Sequence, residues 1–161
     1  MAIYKQTLLN TWKTVPGSNI GGQIIYEKLK AWVDKARELC QISDRREVGD
    51  SHIGQVLAHA EKIKEDAWPP EPVCKIIDEI KSDKVDRGFG MGIYNKRGTV
   101  NRSPLEGGQK ERVLAEQFRK YVDKWAIPYP RTAAILTKVA EDYESEARGA
   151  DKETEKRDLE Y

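Results

Sequence analysis

The sequence has few of the residues on which metal binding and nucleophilic catalysis usually depend. Among 161 residues there are two cysteines and two histidines. Cys40 and Cys74 have no CxxC neighbour, and His52 and His59 are seven residues apart, which separates them by about 10 Å along a helix. A helical histidine pair that binds metal has a spacing of four. We therefore expect no metal, no cofactor, and reduced thiols rather than a disulfide.

Catalytic sequence motifs are also missing. The chain has no G-x-S-x-G motif, and the G-F-G-M-G run at residues 88–92 matches neither a dinucleotide-binding fingerprint nor a Walker A loop. Adjacent carboxylates such as Asp78 and Glu79 diverge on a helix, which favours a solvated face over acid–base catalysis. The sequence therefore predicts a protein that is not an enzyme.

Long apolar runs and a large net charge are absent as well. No stretch approaches the roughly 18 consecutive apolar residues of a membrane span, and residues 1–13 lack the apolar run of a secretory signal. With 28 basic and 27 acidic residues the net charge is +1, which argues against a protein that coats nucleic acid or membranes. We expect a cytoplasmic protein with no membrane partner.

Charge is nevertheless uneven along the chain. Residues 84–112 contain seven basic and three acidic residues, a net of +4, whereas residues 141–161 contain nine acidic and four basic residues, a net of −5. Within the first region, residues 87–105 contain four basic residues, four glycines and no acid. We call these residues the basic segment. We call residues 141–161 the acidic tail. The basic segment and the acidic tail either pair with each other, within or between molecules, or form two solvated surfaces.

The basic segment contains the candidate binding residues. They combine basic, polar and aromatic side chains suited to an anion or a protein partner: Arg87, Tyr94, Asn95, Lys96, Arg97 and Arg102. Glycines would let backbone N–H groups approach an anion, and Tyr94 could stack on a base. If the segment is the working surface, Asn95, Arg97 and Arg102 should be exposed on one face near Tyr94. The simpler alternative is a surface turn whose arginines pair with nearby acids.

Apolar residues recur at three- and four-residue steps through most of the chain, which predicts a mainly α-helical fold. We expect a small bundle of five or six helices. The first expected helices are a short one within 1–13, one from Ser18 or Asn19 to about Cys40, and one that Asp50 or Ser51 caps and the proline-rich turn at 68–72 stops. The later ones are a helix carrying Val73, Ile76, Ile77 and Ile80, one from residue 103 or 109 to 127, and one from Arg131 to Ala147. The proline-rich turn at 68–72 predicts a helical hairpin over 53–80, and the turn at 127–130 predicts a C-terminal antiparallel hairpin.

The secondary structure of the basic segment is ambiguous from sequence. Alternation of Phe89, Met91 and Ile93 with glycine favours an irregular segment or a short β-hairpin. The alternative is a helix with Gly92 on one side and a glycine cap at Gly98. Three interior glycines would each cost such a helix about 1 kcal/mol, so the sequence favours the first prediction.

The predicted organisation has three parts. Residues 1–17 form a short helix and linker, 18–150 a helical domain, and 151–161 a charged tail that extends into solvent. In the C-terminal hairpin the predicted contact set is Val113, Leu114, Phe118, Tyr121, Val122 and Trp125 against Ile135, Leu136, Val139 and Tyr143.

Several runs resemble a helical segment near the C-terminus of large, uncharacterised bacterial proteins. The matching runs are residues 53–60, Trp68-Pro69, 92–98, 106–115 and 130–134. The resemblance covers roughly residues 50–160 and implies a bacterial cytoplasmic module that works beside other domains or partners, with no catalytic residue. We therefore expect a non-catalytic binding or assembly module with a protein partner or self-association. The alternative is an accessory domain that binds nucleic acid or phosphate through the basic segment.

Overall fold

A computed structural model of the protein describes residues 14–64, 67–98 and 107–159, except for the side chains of 157 and 158. These ranges contain six helices and no β-strand, apart from an isolated bridge between Ser18 and Ile24. The helices are α1 (Tyr26–Ile42), α2 (Arg46–Leu57), α3 (Glu71–Ile80), α4 (Asp83–Arg97), α5 (Gln109–Trp125) and α6 (Pro130–Asp158). The prediction of a mainly α-helical bundle is confirmed. The helix expected within 1–13 lies outside the described residues.

The chain forms two compact units, Met1–Arg97 and Gly98–Tyr161. Their boundary falls inside the single domain that was predicted for residues 18–150. Helix α6 continues through the predicted tail to Asp158, and residues 152, 153, 155 and 156 of that tail are exposed. None of the helices in the described ranges combines the length and the apolar character needed to cross a bilayer.

The first helix begins later than the sequence predicts, at Tyr26 rather than at Ser18 or Asn19. The Oδ1 atom of Asn19 accepts hydrogen bonds from the backbone N–H groups of Gly21 and Gln23, both at 3.0 Å. These bonds close a tight loop instead of starting a helix. The sequence could not distinguish the two, because an asparagine side chain accepts hydrogen bonds from N–H groups of turns and of helix N-termini equally well.

The second helix begins earlier than predicted, at Arg46 rather than at Asp50 or Ser51. Asp50 is 4% exposed and does not cap a helix. Its Oδ1 accepts a hydrogen bond from Arg37 Nε at 2.9 Å, and its Oδ2 accepts from Arg37 Nη2 at 3.1 Å and from Ser82 Oγ at 2.7 Å. A buried carboxylate requires such partners, so Asp50 connects α1, α2 and the residue before α4.

The basic segment is helical over residues 87–97, as part of α4, which ends before Gly98 at φ +69°. The favoured prediction of an irregular or β-hairpin segment is therefore wrong for these residues, and the alternative of a helix with a glycine cap is correct. The predicted hairpin over 53–80 is also wrong, because α2 packs chiefly against α4 and α1 rather than against α3.

Close packing of α2 against α4 explains why this glycine-rich stretch is a helix. A Cβ atom added to Gly88 would lie 2.0 Å from the carbonyl oxygen of Ser51, and one added to Gly54 would lie 2.1 Å from that of Val85. Gly92 faces Ala58 in the same way, at 2.5 Å from its Cβ. The two helices run parallel, and their small residues let the backbones approach as in a small-xxx-small helix pair.

The second unit is an antiparallel hairpin of α5 and α6, as predicted. Its apolar interface contains the buried side chains of Phe118, Tyr121, Trp125, Leu136, Val139 and Tyr143. The Phe118 and Tyr143 rings have centroids 5.7 Å apart. Val113 was wrongly placed in this interface, since it is 58% exposed. Leu114, Val122 and Ile135 are half-buried. The capping motif expected at 103–106 lies outside the described residues.

Replacing Phe118 with alanine should lower the free energy of unfolding by about 3–5 kcal/mol, because the change removes a buried ring and leaves a cavity. Val113→Ala is the control on the exposed side of the same helix, with an expected change within about 0.5 kcal/mol. Chemical denaturation measures both values. Equal effects of the two variants would contradict the packing described for Phe118.

Replacing Gly88 with alanine should destabilise the first unit by about 1–3 kcal/mol, because the new methyl group meets the backbone of Ser51. Gly149→Ala is the matched control. It makes the same change in a helix where nothing lies within 4 Å of the added Cβ, so it should stabilise by up to about 1 kcal/mol. Opposite signs in thermal unfolding are expected, and a stabilising Gly88→Ala would contradict the close helix contact.

Candidate functional site

Three residues on the outer side of α4 form a continuous exposed row. Arg87, Met91 and Asn95 follow one another at four-residue steps, which places them along one helix face. All three are exposed, with Met91 at 53%. Tyr94, seven residues after Arg87, lies on the same side and is half-buried. We call Arg87, Met91 and Asn95 the α4 outer stripe. The helix thus brings together three of the predicted binding residues, Arg87, Tyr94 and Asn95.

The glycines of α4 do not form an anion-binding loop. Gly88 and Gly92 lie on the inner face against α2, and their backbone groups are inside a regular helix. An N–H group in a helix interior already donates to a carbonyl one turn earlier. The expectation that these glycines present free N–H groups to a phosphate is therefore wrong, and their role is close helix packing.

Lys96 was predicted to bind a partner, but it lies on the opposite side of α4 from Arg87. Its Nζ donates a hydrogen bond to the carbonyl oxygen of Ala60 at 3.3 Å and lies 5.9 Å from the centre of the Trp68 ring. Trp68 Nε1 donates to the same oxygen at 2.9 Å. Lys96 as a whole is exposed, but partial burial of its ammonium lowers the pKa of that group, and the charge of Glu61 opposes the shift. Lys96 therefore connects α4 to Ala60 and to Trp68.

The remaining predicted residues do not complete the expected cluster. Arg97 is half-buried, and it is two residues from Asn95, so the two side chains point about 200° apart on the helix. Arg97 therefore does not share a face with Asn95, although it lies one turn from Tyr94. Arg102 is outside the described residues.

The structure reveals a second polar feature that was not predicted, on the α5–α6 hairpin. Arg112 pairs with Asp151, and Arg119 pairs with Glu144 at 2.7 Å. Arg148 lines a cleft of the hairpin together with Arg112, Arg119 and Glu144. A signal was present in the sequence, since Arg112 and Arg119 are seven residues apart on one helix and Glu144 and Asp151 are seven apart on the next. Because α5 and α6 are antiparallel, Arg112 lies opposite Asp151 and Arg119 lies opposite Glu144.

Metal ligands do not cluster in the described part of the chain, where no group of three or more His, Cys, Asp or Glu side chains is placed to hold an ion. Neither Cys40 nor Cys74 forms a disulfide within the described residues. Cys74 is buried, and burial raises the pKa of its thiol. A thiol of this kind is a poor nucleophile because the thiolate is the reactive form.

Comparison of the chain with protein families, with characterised proteins and with solved structures found no match.

Replacing Lys96 with glutamine should lower the free energy of unfolding by about 1 kcal/mol, because the hydrogen bond to Ala60 and the contact with the Trp68 ring are lost. Arg87→Gln makes the same kind of change on the outer side of the same helix and should have an effect within about 0.5 kcal/mol. Urea unfolding followed by circular dichroism compares the two. A larger effect of Arg87→Gln would contradict the assignment of Lys96 to structure and Arg87 to the surface.

Proposed function

We propose that the protein is a non-catalytic helical binding and assembly module of a bacterial cytoplasmic complex, and that the α4 outer stripe docks its protein partner. The observation that carries the proposal is the position of Met91, which is more than half exposed between Arg87 and Asn95. Methionine and arginine are enriched at protein interfaces, and the flexible thioether adapts to an apolar partner surface.

The scaffold beneath the stripe supports this proposal. The inner face of α4 is fixed against α2 through Gly88 and Gly92, and its beginning is fixed by the hydrogen bond from Ser82 to Asp50. A surface presented by a rigid helix pair loses little conformational entropy when a partner binds. The partner that fits has a small apolar patch for Met91, with a carboxylate or carbonyl oxygen placed for the Arg87 guanidinium.

The bacterial and cytoplasmic setting is part of the proposal, and two features of the sequence support it: the resemblance that its runs suggest to segments of large bacterial proteins, and its two unclustered cysteines. Such a segment works beside other domains, so the partner is a neighbouring domain, another protein of the complex or a second copy of the chain. These occupants share one requirement, an apolar surface that accepts Met91.

Replacing Met91 or Arg87 of the α4 outer stripe with glutamate should strongly reduce partner capture without unfolding the protein. Tagged wild-type chain, Met91→Glu and Arg87→Glu are compared in pull-downs from the host followed by mass spectrometry, with sedimentation velocity for self-association. We expect each variant to lose at least about tenfold of the captured partner, since buried interface anchors often contribute more than about 1.4 kcal/mol. Both changes are at exposed positions, so melting temperatures should be nearly unchanged.

Ile127→Glu is the control, because Ile127 is 94% exposed and belongs to the other unit. Capture by this variant should equal that of wild type. Retention of all partners by Met91→Glu would contradict the docking role of the stripe. Salt-dependent binding of a mixed-sequence oligonucleotide that Arg87→Glu removes would instead support the nucleic-acid alternative.

A further inference from the structure

The hairpin of α5 and α6 contains a cleft of about 360 Å³ with arginines at its rim. Its lining is Arg112, Ala115, Glu116, Arg119, Glu144, Ala147 and Arg148, which we call the arginine cleft. Ala115 and Ala147 are almost completely buried, so the accessible apolar surface of the cleft is the aliphatic part of its arginine and glutamate side chains. The volume lies at the low end of the roughly 300–1,000 Å³ typical of ligand sites.

Two of the three arginines are held in place by carboxylates of α6. Arg119 Nε and Nη2 donate to Glu144 Oε1 at 2.8 and 2.7 Å. Arg112 donates to Asp151, whose Oδ1 also accepts from the backbone N–H of Gly108 at 2.9 Å. These bonds lower the pKa of Asp151 and raise the pKa of Arg112. Both guanidinium groups are therefore pre-oriented at the rim.

The third arginine, Arg148, has no ion pair or hydrogen bond among the described residues and is exposed. Glu144 is four residues before it, a spacing at which a helical Glu–Arg pair forms readily. Glu144 binds Arg119 instead. The other acid of the lining, Glu116, interacts with Lys120 at 3.7 Å. Arg112 pairs with Asp151, Arg119 with Glu144 and Glu116 with Lys120, so Arg148 is the one charged group of the lining without an ion pair among the described residues.

We propose that the arginine cleft binds an acidic side chain of a protein segment, with its carboxylate at Arg148 and its methylene groups against the aliphatic stems of the lining side chains. The planar fork of arginine matches a carboxylate. A carboxylate at this position would give Arg148 an ion pair, which the other charged groups of the lining already have. Inorganic phosphate has no apolar part to place against these stems. The site lies in the second unit, and the proposal does not rest on the α4 outer stripe.

The test is isothermal titration calorimetry of the full chain at low ionic strength with N-acetylated, C-amidated tetraglutamate, and with tetraglutamine blocked in the same way. Wild type should bind the acidic peptide and not the neutral one. Arg148→Ala should weaken binding about tenfold, and Arg148→Glu should remove it. Arg148→Lys should fall between wild type and alanine, because lysine keeps the charge but loses the fork.

Arg45→Glu is the matched control, an exposed arginine of the first unit with no side-chain ion pair among the described residues. This variant should bind the peptide as wild type does, which separates the cleft from general charge attraction. Failure of wild type to bind, or equal binding by wild type and Arg148→Ala, would overturn the proposal. So would displacement of the peptide by inorganic phosphate or a mixed-sequence oligonucleotide at equal concentration, which would indicate a general anion site.

Discussion

The first unit depends on one constraint, the close approach of the α2 and α4 backbones. Gly54 faces the backbone of Val85 and Phe89, and Gly88 faces that of Ser51. A methyl group at either glycine would overlap a carbonyl oxygen, so this distance between the helices requires glycine on both. Close approach increases the number of favourable dispersion contacts, which are small singly and large together. The inner face of α4 is bound along this line, and the opposite face carries the exposed α4 outer stripe.

The buried Asp50 sets where that contact can form. Its carboxylate joins Arg37 of α1 to Ser82, the residue immediately before α4. The Ser82 oxygen in turn accepts from the Val85 N–H at 3.4 Å, within the first turn of α4. Removing one member of a buried charge pair leaves the other uncompensated, which costs several kcal/mol. The position of α4 along α2 is therefore fixed by charge at its beginning and by glycine further along.

The sequence predicted those helices whose formation depends on residues that are close together in the chain. The apolar faces of α3, α5 and α6 were predicted because residues such as Ile77, Phe118 and Tyr143 recur with helical spacing and are buried. The helical state of α4 was not favoured, because three glycines oppose a helix locally and the compensation comes from α2, which is distant in sequence. Asp50 was misread for the same reason: a capping residue and a buried ion-pair residue have the same side chain. For the candidate site, residue type alone singled out Arg87, Tyr94 and Asn95 together with Lys96. Only the helix geometry shows that Lys96 lies on the opposite side of α4.

The distribution of charge shows how chain direction decides which groups meet. The acidic tail and the basic segment are the most oppositely charged regions of the sequence, yet Glu144 and Asp151 bind arginines of α5. An antiparallel hairpin places these groups side by side, and a neighbouring helix reaches them at a lower entropic cost than a distant segment does. Glu144 and Asp151 thus form their ion pairs with arginines of the second unit. Glu144 accepts both hydrogen bonds from Arg119 through the same oxygen, Oε1. Arg148, four residues later on α6, makes no ion pair with Glu144 in the described part of the chain, so the contact across the hairpin is formed in place of the i,i+4 pair within the helix.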